Sequence, residues 1–328
     1  MTIAFTTTIP QEYIWAAGLT PLDLNNYFIT GDSRHFIGNG EQMGMPRSTC
    51  SWIKGILGAM QEEALTSKLQ AIIAVTEGDC SNNHGLISLF KYYLPHLEII
   101  HFSYPADKNP ERLKLELSKL QSYFGVSDEK LVVTKSRLDQ VRQKVNRYDY
   151  LQYTKLNAAA KVTQNILVST SDFDGNYEKF EENVVANINL LENTPTGHPS
   201  LRLGYCGVPT IISDLFTYLE SFPAKVIFFE VEKDFSMPTI ESTVLEQYLA
   251  FRYPYDIYSR IHYINEQILE RKLDGIIYYA QAFCHRQIDS FLIQKLVKAP
   301  VLILEGDAPG ALDMRTKIRL ESYIERLL

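Results

Sequence analysis

Apolar positions along the chain fall into short β-branched runs that alternate with longer stretches of helical spacing. LQAIIAV, residues 69–75, is such a run, and GLISLFKYYL follows it across a Gly/Asp/Asn turn with its apolar residues three and four apart. LEIIHFSYP, 97–105, predicts the next strand. PERLKLELSKLQSYFG then opens on proline, closes on glycine and spaces its leucines as a helix does. In the second half RLGYCGVP, AKVIFFEVE, LDGIIYYAQAF and APVLILEGD predict four more strands. SDLFTYLESF reads as a helix capped by Ser213, and RTKIRLESYIERLL as a closing helix. From SDEKLVV to FEENVVANINLLE the chain is polar and helical, without a strand signal. This alternation predicts an α/β fold with parallel sheets. The expected organisation is an N-terminal α/β domain over 1–135, a helical connection over 136–199 and a C-terminal α/β domain over 200–328.

A chain of 328 residues suits two such domains, because single cores stop growing at roughly 250–300 residues. Its 45% hydrophobic and 22% charged residues are those of an ordinary globular protein. The formal net charge of −7 argues against a nucleic-acid binder that depends on phosphate contacts. A small acidic ligand needs only one local basic pocket. MTIAFTTTIPQEYIWAAG lacks the basic and apolar regions of a signal peptide, and no apolar run approaches the roughly 18 residues that span a bilayer. A cytoplasmic protein without membrane attachment is the expectation.

The candidate chemistry lies in the cysteines. There is no GxxxxGK[ST] loop, GxSxG elbow, HExxH or CxxC pair, and GNGEQMG does not follow a strand as a dinucleotide-binding loop does. The four cysteines, at 50, 80, 206 and 284, are far apart and poor candidates for a disulfide framework. Cys80 follows AIIAV and Cys284 follows DGIIYYAQAF, each at the carboxyl end of a predicted strand, where open α/β sheets bind ligands. Cys50 in STCSWIKGILG starts a helical pattern, where terminal N–H groups favour thiolate. Three such thiolates suit a soft metal centre, and on an iron–sulfur cubane they leave one iron open. Four unrelated packing cysteines are the alternative that position alone leaves standing.

The words around the cysteines resemble the family of 2-hydroxyacyl-CoA dehydratase and benzoyl-CoA reductase subunits, nearly end to end. IPQEYIWAAGLTPLDL is similar to that family's opening, STCSWIKGILG to its first cysteine motif and EGDCSNN to its second. RYPYDIYSRI resembles the aromatic and arginine segment before the third, DGIIYYAQAFCHRQID carries the third, and LILEGDAPGALDMRTKIRLESYIE is similar to the closing stretch.

The resemblance implies two flavodoxin-like domains that hold a [4Fe-4S] cluster through Cys50, Cys80 and Cys284. It implies a similar subunit as partner, in a homodimer or heterodimer, and an ATP-hydrolysing iron–sulfur activator that delivers single low-potential electrons. The implied substrate is a CoA thioester, reduced to a ketyl radical that loses a hydroxyl group, or an aromatic ring that is reduced. Two other roles stay open: an electron-relay subunit without a substrate site, and a cluster-dependent reductase of a small non-CoA substrate.

The pattern departs from the family's in three places. Ser81 follows Cys80 where Asp is usual, Cys206 stands one place ahead of the glycine in Gly207-Val208-Pro209, and the closing Thr-Arg is Thr316-Lys317. Ser48, Thr49, Ser81 and Asn82 are candidate hydrogen-bond donors to cluster sulfur, or helix caps. His285 is a candidate proton donor or a partner of a backbone carbonyl, and Ser81 the other weak catalytic candidate. Glu77, Asp79, Glu305 and Asp307 sit at strand ends, where catalytic acids and N-caps both occur.

Overall fold

A computed structural model describes residues 1–328. The fold is α/β, with two separate four-stranded sheets in which every strand pair is parallel. The first sheet is built from β1 (Thr2–Phe5), β2 (Thr20–Asp23), β3 (Leu69–Glu77) and β4 (Glu98–Ser103), in the order β2-β1-β3-β4. The second repeats that order as β6-β5-β7-β8, with β5 (Leu201–Gly207), β6 (Ala224–Phe229), β7 (Gly275–Gln281) and β8 (Val301–Gly306). Both therefore have the flavodoxin-like arrangement, in which the first strand lies beside the third and ligands bind outside the carboxyl ends of that pair.

Each central strand is buried on both faces, which explains the uninterrupted apolar runs. Ala71–Val75 and Ile276–Tyr279 are at most 1% exposed. β1 and β2 are absent from the sequence-based expectation. Four residues are too few for a periodic signal, and β2 contains Pro21, which an edge strand tolerates.

Two more differences concern element boundaries. FFEVE does not continue β6: the strand stops at Phe229 and Glu230–Phe235 is helical. The helix Leu215–Leu219 begins after Asp214, not Ser213. The Asp214 carboxylate accepts from the Leu312 N–H at 2.7 Å and caps no helical donor.

The chain forms two compact units. The first comprises residues 1–142, 169–180 and 239–256, and the second 143–168, 181–238 and 257–328. Long-range hydrogen bonds seat the later segments in the first unit: Gln11 Nε2 donates to the Thr170 carbonyl at 2.9 Å, and the Asp23 N–H donates to Asp172 Oδ2 at 2.8 Å. Tyr248, Phe251 and Tyr255 pack their rings around buried Tyr104, whose hydroxyl donates to the Thr8 carbonyl at 2.8 Å. No helix is long and apolar enough to cross a membrane.

Candidate functional site

The first sheet turns sharply before Cys80. Gly78 takes φ +92°, and a Cβ there would lie 2.7 Å from Tyr104 Cβ and 3.0 Å from Pro254 Cβ. Only glycine combines that backbone angle with that approach. Cys80 follows, partly exposed, and its carbonyl accepts from the Asn83 N–H at 3.0 Å. Asn83 is buried and its amide donates to Asp79 Oδ2 at 2.7 Å, which orients the loop from inside. Ser81, exposed at the start of the helix Asn82–Tyr93, makes no capping hydrogen bond.

Cys50 is the N-cap residue of the helix Ser51–Ala59 and is 5% exposed. That helix packs on Ser33–Gln42 with almost no spacing. A Cβ on Gly58 would stand 1.8 Å from the Phe36 carbonyl oxygen, and one on Gly40 2.3 Å from that of Lys54. The helix end carrying Cys50 is therefore rigidly placed.

In the second sheet β5 ends at Gly207, φ +94°, where a Cβ would lie 2.1 Å from the Tyr279 carbonyl oxygen. The Gly207 N–H donates to Glu230 Oε2 at 3.2 Å. Arg260 closes on the same carboxylate, Nε to Oε1 at 2.7 Å and Nη2 to Oε2 at 2.9 Å, and both side chains are buried. Its Nη1 lies 3.5 Å from Asp289 in the helix that follows Cys284. One buried pair thus joins the turn after β5, the helix Ile257–Arg271 and the element after β7.

Beyond β7, Phe283 takes the left-handed φ of +61° and Cys284 caps the short turn His285–Gln287. The Cys284 N–H donates to the Gln281 carbonyl at 3.1 Å, and its own carbonyl accepts from the Gln287 N–H at 3.0 Å. A crevice lined by Gly207, Val208, Tyr279, Gln281, Cys284 and Arg286 is too tight to admit a water molecule.

Cys80 and Cys284 thus occupy equivalent places, just past the third strand of two sheets with the same strand order. Cys50 and Cys80 belong to the first unit and Cys284 to the second. None of the four cysteines is in a disulfide. Neither unit by itself gathers three His, Cys, Asp or Glu side chains that could hold a metal ion. The family model of the 2-hydroxyglutaryl-CoA dehydratase D-component matches residues 6–327. The chain belongs to this family. No curated protein matches it.

Within this dehydratase component Cys206 is a packing residue. It is fully buried on β5 among Ile227, Ile276 and Tyr278, and burial, then the Glu230 carboxylate, push its thiol well above the ordinary range. His285 is exposed at its surface; partial desolvation of the ring, then the neighbouring Arg286 and Arg260 guanidiniums, lower it to about 4. Its ring contacts Cys284 Sγ and bonds no backbone carbonyl.

The strand-end carboxylates are occupied. Glu77 accepts from Arg112 at 3.1 Å and from the Ala106 N–H at 2.8 Å, and Glu305 accepts from Gln287 at 2.9 Å. Glu12 of the opening motif is fully buried, 2.7 Å from Arg142 and 3.0 Å from the Tyr248 hydroxyl.

Glu230 and Glu232 were hidden inside what reads as a strand. Glu232 is fully buried, accepts from Gln164 Nε2 at 3.3 Å and leaves Oε2 without a hydrogen-bond partner. Burial raises its carboxyl to about 8.

Two variants test this layout. Arg260→Met strands the Glu230 carboxylate, and equilibrium unfolding will show a loss of about 3–5 kcal/mol; a loss below about 1 kcal/mol contradicts the pair's role. Glu232 holds its proton in the folded state up to about pH 8 but only to about 4.5 in the unfolded chain. Stability therefore falls between those values by about 1.4 kcal/mol per pH unit and levels above them. In Glu232→Gln that component of the slope will vanish, as melting curves across the range will show.

Proposed function

We propose that the chain is the cluster-bearing component of a radical 2-hydroxyacyl-CoA dehydratase or related acyl-CoA reductase system, with Cys50, Cys80 and Cys284 as ligands of a [4Fe-4S] cluster. The observation that carries the reading is the equivalence of Cys80 and Cys284 at the ligand-binding ends of two like sheets, in a chain of the D-component family. The donor set fits. Three thiols outside any disulfide are the soft ligands an iron–sulfur cluster takes, whereas Cys206 is locked in the core as a neutral thiol.

Such a cluster, when bound, supplies low-potential one-electron chemistry and an iron site open to a carbonyl oxygen. The chain's own residues set the conditions for it. Gly78 and Gly207 make the turns after β3 and β5, and the Glu230–Arg260 pair pins the turn after β5 to the element that follows Cys284. A tight crevice lies beside Cys284. Nucleotide hydrolysis belongs to a separate activator in this reading, and the substrate is a CoA thioester presented with a similar partner subunit.

The isolated protein is accordingly expected neither to hydrolyse ATP nor to turn over a 2-hydroxyacyl-CoA. Adding a reduced activator with Mg-ATP will start turnover, and Cys80→Ala will abolish it. Turnover without an activator, or normal turnover in Cys80→Ala, contradicts the reading. A cluster that the activator reduces, but whose EPR spectrum no CoA thioester shifts, replaces it with the relay role.

A further inference from the structure

Cys80 and Cys284 are each followed directly by a side chain with a mobile or ring-bound proton, Ser81 and His285. In the second unit the geometry is explicit. Cys284 is fixed at both backbone ends by the Gln281 carbonyl and the Gln287 N–H, and His285 opens the turn it caps. His285 Nδ1 lies 4.0 Å from Cys284 Sγ, and no other hydrogen bond engages the ring. Other histidines use their rings on oxygen: His84 faces the Thr76 carbonyl at 3.0 Å, His35 faces Glu62 at 3.1 Å and His262 faces Glu266 at 3.1 Å. His285 alone turns a ring nitrogen toward sulfur.

We propose that His285 is a positioning residue that donates a hydrogen bond from Nδ1–H to the Cys284 sulfur and so raises the reduction potential of the centre that sulfur ligates. The inference rests on the reading of Cys284 as a cluster ligand. A coordinating cysteine is a thiolate with no proton of its own, so the nitrogen must be the donor. In the neutral ring, donation from Nδ1–H fixes the tautomer. The bond withdraws charge from the sulfur and stabilises the reduced, more negative state over the oxidised one.

Three anaerobically reconstituted proteins separate the possibilities: wild type, His285→Leu, which keeps bulk and loses the donor, and His285→Asn, whose amide nitrogen occupies the place of Nδ1. Iron and sulfide content are measured first, then midpoint potentials by EPR-monitored redox titration. His285→Leu is expected to lower the midpoint by a tenfold change in the reduction equilibrium, 59 mV for one electron. His285→Asn is expected to stay within a third of that shift. Equal midpoints in all three, or equal shifts in both variants, overturn the hydrogen bond while a full cluster in each leaves the ligand assignment standing. Wild type without a cluster overturns both. Should His285→Leu fail to load, His285→Ala provides the same deletion and is held to the same outcomes.

Discussion

The buried Glu230–Arg260 pair governs the functional end of the second sheet. Two charges removed from water are costly, and the cost is met because the carboxylate receives two of the three guanidinium nitrogens and the Gly207 N–H together. The three segments that supply these groups therefore cannot drift apart without leaving a charge stranded. Arg260 also reaches Asp289, so the restraint extends to the element after Cys284. In the first unit Glu12 and Arg142 form a second fully buried pair. It lies in the opening motif, where the sequence pattern suggests only a helix start.

Parallel strand order does the rest of the placement. Because the first and third strands are neighbours in each sheet, the loops beyond them share one end, and that end receives Thr6–Thr8 with Cys80 in one unit and Gly207 with Cys284 in the other. The thiol that lies inside a strand, Cys206, is sealed and neutral. The thiols that lie past strand ends remain partly accessible.

Much of this was legible in the chain. The apolar runs of β3 to β8 announce strands because central parallel strands bury both faces, and Pro110 with Gly125 marks a helix that the structure caps with Asn109 and a left-handed Gly125. β1 and β2 escaped because four-residue strands give too few alternations to register. Glu230 and Glu232 escaped because VIFFEVE has strand composition throughout. The Glu230 side chain at that helical start is held by a partner 30 residues away, Arg260, which no local pattern encodes. The cysteine positions were readable because they sit immediately after strong strand signals. The residues that hold their loops were not, since Asn83, Arg260 and Tyr104 act through contacts set by the tertiary fold.

The central claim is that three particular thiols, and not the fourth, hold one cluster in this D-component family member. It is tested most directly by iron and acid-labile sulfide analysis of anaerobically purified protein carrying single Cys→Ala replacements at 50, 80, 206 and 284. The account predicts about four iron and four sulfide per chain in wild type and in Cys206→Ala, with the cluster lost or degraded in the other three. Loss confined to Cys206→Ala, or full content in Cys80→Ala and Cys284→Ala, would contradict it.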